Sequence, residues 1–238
     1  MILSQLILNS YNRNTWHAIN DCQQLHRIVM SAFPQCSDGV NAREYFKVLY
    51  RLETGDFRNR LLLLVQSDII PDWSYLKKSG YLCEEPATRE IGSVFSKIPN
   101  DTILRFRLKA NPTKKIESSS KSERLSGIKK RNGRRIPLNN DELKIDWLRG
   151  KSVESGFELL SVKVAPAVQD VVSLKYTVET GFRSNASINN QTDKLTFAGV
   201  IFNGHLRVID SAKFFACLEK GIGSAKAYGF GMLSIAGT

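Results

Sequence analysis

Apolar residues fall in short alternating runs, separated by polar, charged or glycine-containing stretches. "ILSQLILN" (2–9) predicts a strand. "NTWHAINDCQQLHRIVMSAFP" (14–34) predicts one helix, with Asn14 or Thr15 to cap it and Pro34 just past its end. "YFKVLYRLE" (45–53) and "RNRLLLLVQ" (58–66) predict strands around the turn signal "TGDF", and "PDWSYLKKSG" a short helix or turn. "TILRFRLKA" (102–110) is a strand followed by a charged insertion, and "NNDELKIDWLRGKSVESG" (139–156) is a helix capped by Asn139 or Asn140. "FELLSVKVA" and "VSLKYTVET" are strands, and "KLTFAGVIFNGHLRVID" predicts a hairpin with Asn203-Gly204 as its tight turn. "SAKFFACLEKG" (211–221) is a helix ended by Gly221, and "FGMLSIA" (230–236) closes as a strand.

The β-α-β-β-α order of the first half recurs in the second. The expected class is α+β, with two tandem ferredoxin-like (RRM-like, βαββαβ) domains at residues 1–97 and 98–238. Which strands pair is not fixed by the pattern.

Charge sharpens the picture. The 238 residues carry a formal net charge of +11, which favours a polyanionic partner, nucleic acid ahead of lipid. Cys22, Cys36, Cys83 and Cys217 have no C-x-x-C spacing and no histidine at finger distance. They are expected to be reduced, mostly buried thiols of a cytoplasmic protein, with no metal site. No apolar run nears the roughly 18 residues of a membrane span, and "MILSQLILNSYNRN" lacks the basic and apolar regions of a signal peptide.

Three segments carry candidate chemistry. The loop "GIGSAKAYGFGML" (221–233) admits three readings: a nucleotide phosphate site, a nucleic-acid backbone contact, or a tight turn. It follows a helix and precedes a strand, the reverse of a dinucleotide fingerprint, and it lacks the Walker pattern. Gly221 suffices as a helix cap. Gly223, Gly229 and Gly231 fit better where backbone approaches an RNA backbone, with Lys226 adding charge. The segment 113–135 holds nine Lys or Arg against two Glu, among them Lys114, Lys115, Arg124, Lys129, Lys130, Arg131, Arg134 and Arg135. Hung between a strand and a helix, it is expected to clamp RNA phosphates, and without an aromatic residue it is not expected to stack bases. In the strand before it, Arg105, Arg107 and Lys109 alternate with Leu104, Phe106 and Leu108, putting the cations on one face.

Of the three histidines, His205 reads as a turn-edge residue and His17 as solvent-facing. His26 lies on an apolar helical stripe with Cys22, Val29 and Phe33. Such a histidine is most often a core or boundary residue, but it also suits proton transfer near neutrality. Arg27 beside it could hold a phosphate. No metalloprotease, serine-hydrolase or two-metal carboxylate pattern is present. A chain of this kind that cuts RNA is expected to do so without metal, by 2′-hydroxyl attack on the adjacent phosphate. Histidine then moves protons and Lys or Arg stabilises the charge.

These stretches, with "QLHRIVMSAFP", "LVQSDIIPDWSYL", "LRFRLKANPTKK", "RRIPL", "WLRGK" and "GHLRVID", together resemble the CasE family, the CRISPR RNA-processing endoribonucleases of type I-E systems. The resemblance spans the whole chain. It implies recognition of the CRISPR repeat stem-loop RNA and metal-independent cutting at the stem base to a 2′,3′-cyclic phosphate. It also implies retention of the product with the other Cascade subunits, and no small-molecule cofactor. The family's catalytic histidine falls on His26, and Arg27 matches a pattern in some members. Members often carry tyrosine where this chain has Gln23, an amide that can position a 2′-hydroxyl but cannot act as a phenolic acid or base. The general acid is then Lys226, another lysine, or His26 itself. Two alternatives stand beside this reading: a non-cutting RNA-binding subunit of an effector complex, and a generic basic RNA-binding module.

Overall fold

The computed structural model describes residues 1–54, 60–116, 134–160, 173–184 and 192–238. The first unit runs β1 (Ile2–Leu8), α1 (Arg13–Ile19), α2 (Cys22–Met30), α3 (Ala42–Tyr45), β2 (Leu49–Thr54), β3 (Leu61–Ser67), α4 (Ser74–Lys78), β4 (Ala87–Glu90) and α5 (Gly92–Phe95). The second runs β5 (Ile103–Ala110), β6 (Thr113–Ile116), β7 (Arg134–Pro137), α6 (Asp141–Glu154), β8 (Phe157–Leu160), β9 (Ser173–Ser184), β10 (Thr192–Val208), α7 (Ser211–Lys220), a 3₁₀ turn (Lys226–Tyr228) and β11 (Leu233–Gly237). The sheet orders are β2-β3-β1-β4 and β11-β5-β10-β8, all antiparallel. Counted along the four strands of each of these orders, the first strand lies between the third and fourth, and the second lies outside the third. That is the ferredoxin-like arrangement, present twice.

Period-2 patterning explains each sheet. Leu6 and Leu8 of β1 face Leu63 and Leu61 of β3, and the same apolar side receives Leu25 and Val29 of α2 and Leu76 of α4. In the second core, Leu104, Phe106 and Leu108 meet Phe202, Leu206 and Val208, covered by Leu148 of α6 and Phe214 and Leu218 of α7. Each such side chain, fully buried, contributes on the order of 1.5–3 kcal/mol.

Several expectations need correction. The predicted helix 14–34 is two helices. Asn20 ends the first, and the Asp21 carboxylate caps the second by accepting from the Gln23 and Gln24 amides at 2.9 and 3.3 Å. The strand predicted from 45 begins at Leu49, because Asn41 caps the short helix α3. Asn203-Gly204 is no turn. Asn203 and Gly204 pair with Arg107 and Phe106 inside one seventeen-residue strand. Val200, Phe202, Leu206 and Val208 keep a single inward phase across the dipeptide, so core periodicity overrides turn propensity. His205 therefore lies mid-strand, opposite Arg105 on one side and Leu160 on the other. The cysteines are free, but Cys83 is exposed.

The two units are stitched by polar contacts. Arg51, 2% exposed, donates to the Arg107 and Met232 carbonyls at 3.3 and 3.2 Å and pairs with Glu53 at 2.6 Å. Gln66 donates to Leu218 O at 2.7 Å, and Lys47 pairs with Asp68 and Glu219, each at 2.9 Å. β8 and β9 lie end to end along one edge of β10, and residues 192–199 pair with β9 alone. This β9–β10 ribbon reaches back onto the start of α2. A Cβ on Gly181 would meet Cys22 Sγ at 2.7 Å and Asp21 Oδ1 at 2.9 Å.

Candidate active site and nucleic-acid interface

α2 buries Cys22, Leu25 and Val29 and leaves His26 at the core boundary, half-buried. The His26 Nδ1 atom is buried and has no hydrogen-bond partner among the described residues. Its pKa is held below 6.5 by burial first, then by the guanidinium groups of Arg43 and Arg27. The imidazole is therefore neutral at neutral pH and able to take a proton. His17 is exposed.

The other wall comes from the glycine-rich loop. The Tyr228 ring stands edge-on to His26, with centroids 6.1 Å apart at 64°, and stacks on Phe197 of the ribbon at 4.8 Å and 27°. The Tyr228 hydroxyl donates to Gln23 Oε1 at 3.2 Å. Burial raises the Tyr228 pKa, so the phenol stays protonated. Lys226, half-buried on the same turn, has its pKa lowered by burial and then by Arg43. Arg43 was not singled out from sequence. Its side chain is 12% exposed, it donates to Val48 O at 3.5 Å, and its charge acts on both His26 and Lys226.

The glycines of this loop have uses within the protein. Gly221, Gly223, Gly229 and Gly231 all have positive φ, from 71° to 88°. A Cβ on Gly231 would strike Ile222 O at 2.8 Å, one on Gly229 the Tyr50 ring at 3.2 Å, and one on Gly223 the Trp147 ring at 3.0 Å. The loop is folded tightly enough that its shape alone demands glycine. Beside it lies a polar cavity of about 300 Å³ lined by Gly223, Ser224, Lys226, Arg135, Lys151 and Trp147 among others.

The remaining predicted cations divide. Lys114 and Lys115 are exposed on β6, which pairs with β7, and Arg135 of β7 lines the cavity. Arg134 opens β7, whereas Arg124, Lys129, Lys130 and Arg131 lie outside the described residues. The expected outer face of cations on β5 does not form as a free surface. Lys109 is 5% exposed, pairs with Glu179 at 2.5 Å and sits over the Phe230 ring at 5.2 Å. Arg107 pairs with Glu53 at 3.5 Å, and Arg105, which is exposed, donates to Gly237 O at 3.0 Å. Arg107 and Lys109 are thus neutralised against the first unit and the ribbon, while Arg105 keeps its charge at the surface. Among the described residues, no three His, Cys, Asp or Glu side chains gather as a metal-binding group, and no helix is long and apolar enough to cross a membrane.

A family model described as CRISPR associated protein matches residues 1–237. The chain is 29% identical over 236 residues to the CRISPR-associated endoribonuclease Cse3 of Thermus thermophilus, covering 99% of this chain and 100% of that one. It is 27% identical over 236 residues to the CRISPR system Cascade subunit CasE of Escherichia coli, covering 99% of each. The solved structure of CRISPR endoribonuclease Cse3 bound to a 19-nucleotide RNA is similar with a TM-score of 0.75 and 27% identity, over 99% of this chain and 100% of that one.

Proposed function

The chain belongs to the family of CRISPR associated proteins, and on that premise we propose that it is an endoribonuclease that cuts CRISPR repeat RNA at the base of its stem-loop. It then keeps the product as a subunit of a Cascade complex in the cytoplasm. The carrying observation is the neutral, half-buried His26 flanked by the charges of Arg43 and Arg27, opposite a loop that presents Lys226 and Tyr228. Exposed Lys114 and Lys115, cavity-lining Arg135 and the basic segment between β6 and β7 supply phosphate contacts for the stem.

In the reaction the 2′-oxygen bonds to the adjacent phosphorus and its proton passes to His26. The bond from phosphorus to the 5′-oxygen breaks, and that oxygen takes a proton from the Lys226 ammonium. The products are a 2′,3′-cyclic phosphate and a 5′-hydroxyl, and charge and protons balance. Arg43 and Arg27 add positive potential where the phosphorane gathers negative charge. No step requires a metal. The test is incubation of a labelled CRISPR-repeat stem-loop RNA with the protein in EDTA. One cut with a cyclic phosphate end is expected, and bound but intact RNA would instead favour a non-cutting subunit.

A further inference from the structure

Tyr228 lies 205 positions from Gln23 in sequence, yet its hydroxyl bonds to the Gln23 side chain across the boundary between the two units. The phenol has little freedom. Its ring is stacked on Phe197 and T-shaped to the His26 ring. The backbone on both sides is fixed, because the Tyr50 hydroxyl donates to Ala227 O at 2.7 Å and Gly229 lies against the Tyr50 ring. Gln23 stands on the first turn of α2, three residues before His26 and on the same side of the helix. A glutamine side chain has more rotatable bonds than a phenol pinned in this way, so the phenol sets the amide.

A carboxamide offers one accepting oxygen and one donating NH₂ group. With Oε1 engaged by a hydroxyl, the NH₂ group is the end left to meet a ligand. A phosphate accepts hydrogen bonds and gives none, so it is matched by that end. A flipped amide would set a carbonyl oxygen against the phosphate oxygens. Resting on the RNA-cutting reading above, we propose that Tyr228 is a positioning residue for the reaction: it holds the Gln23 carboxamide with Nε2 turned toward the scissile phosphate beside His26. Tyr228 itself stays a donor across the working pH range, since burial raises its pKa. Gln23 then donates an N–H to an oxygen that grows more negative as phosphorus becomes five-coordinate.

The experiment is single-turnover cleavage of a labelled CRISPR-repeat stem-loop RNA by the full chain and by Tyr228→Phe, Gln23→Leu, the double variant and His26→Ala. Tyr228→Phe keeps the ring and its stack on Phe197 and removes only the hydroxyl. The rate at saturating protein is expected to fall about 10- to 100-fold, with the half-saturating concentration and melting temperature unchanged. Gln23→Leu is expected to lose a similar factor, and it probes the same hydrogen bond without touching the tyrosine. The double variant should be no slower than the slower single, because both changes break one coupling. Wild-type cleavage by Tyr228→Phe overturns the proposal, as do losses that multiply in the double variant. So does a fall in melting temperature with the saturated rate kept, which marks a structural hydroxyl. In each of those cases an inactive His26→Ala leaves the RNA-cutting reading in place. RNA left uncut by the unaltered chain removes that reading, and the proposal with it.

Discussion

Lys109 of β5 and Glu179 of the β9–β10 ribbon form an ion pair at 2.5 Å, the lysine side chain 6% and the glutamate 22% exposed. The pair ties the ribbon to β5 close to Gly181, where the ribbon rests on α2. Removing one partner leaves a buried charge uncompensated, so Lys109→Ala is expected to cost about 3–5 kcal/mol. Lys109→Met with Glu179→Gln should cost much less. Urea melts of the three proteins decide this. A salt dependence of RNA binding that drops in Lys109→Met/Glu179→Gln would show that Lys109 contacts phosphate after all.

His26→Ala is expected to fold, to bind the stem-loop with near-normal affinity, and to lose about 10²–10⁴-fold in cleavage. Affinity is spread over many cations, whereas proton transfer happens at one bond. Filter binding and single-turnover cleavage on the same RNA separate the two. His17→Ala and His205→Ala should cut normally, since His17 is exposed and His205 sits mid-strand in the second sheet.

The pH profile carries a sign. His26 must be neutral to accept the proton, and its pKa lies below 6.5. The rate should therefore rise with pH through that lowered pKa and be level by neutrality. On the alkaline side it should fall as Lys226 loses its proton, at a pKa below 10.5. A rate that declines as pH rises through the acidic range would make the protonated imidazole the active form and reverse the assignment.

Gly229 and Gly231 should resist even a methyl group. Gly229→Ala forces an L-residue to φ near 81° against the Tyr50 ring, and Gly231→Ala also drives Cβ toward Ile222 O. The left-handed conformation alone costs about 1–2 kcal/mol, or roughly 2–8 °C in melting temperature for a chain of this size. Calorimetry should show that drop for both, with Gly231→Ala the worse. Full thermal stability together with weakened RNA affinity would return the loop to a pure backbone contact.

The basic segment 113–135 should act through phosphates. Changing Lys114, Lys115 and Arg135 to Ala is expected to weaken binding and to reduce the slope of log affinity against log salt. The reduction should be about 0.7–0.9 for each phosphate that is no longer neutralised. Lys129, Lys130, Arg131 and Arg134 changed together should do the same. A slope that stays put in titrations from low to moderate salt would assign these residues another role.

The sequence made some of this legible and hid the rest for physical reasons. The alternation in Leu104–Phe106–Leu108 reads directly as a half-buried strand, and Asn140 is a visible cap because its side chain bonds the Glu142 amide two residues on. Asn203-Gly204 misleads because a turn signal is local, whereas the inward phase of Phe202 and Leu206 is enforced by the whole sheet. The apolar helical stripe marks His26 only as a core or boundary histidine, and its catalytic role is what the family resemblance implies. The neighbours Tyr228 and Arg43 could not be picked out, since no spacing rule joins residues that meet only through tertiary packing. Lys109 looked like an outward cation because period 2 assigns a face and not what covers it.

The hydrogen bond between Gln23 and Tyr228 also sets an order of events during synthesis. A ribosome delivers His26 and the whole first sheet long before it reaches the glycine-rich loop, 205 positions after Gln23. Until that loop closes over α2, a nascent chain holds the histidine without Lys226, Tyr228 or the ribbon, and on the proposed mechanism it is expected not to cut RNA.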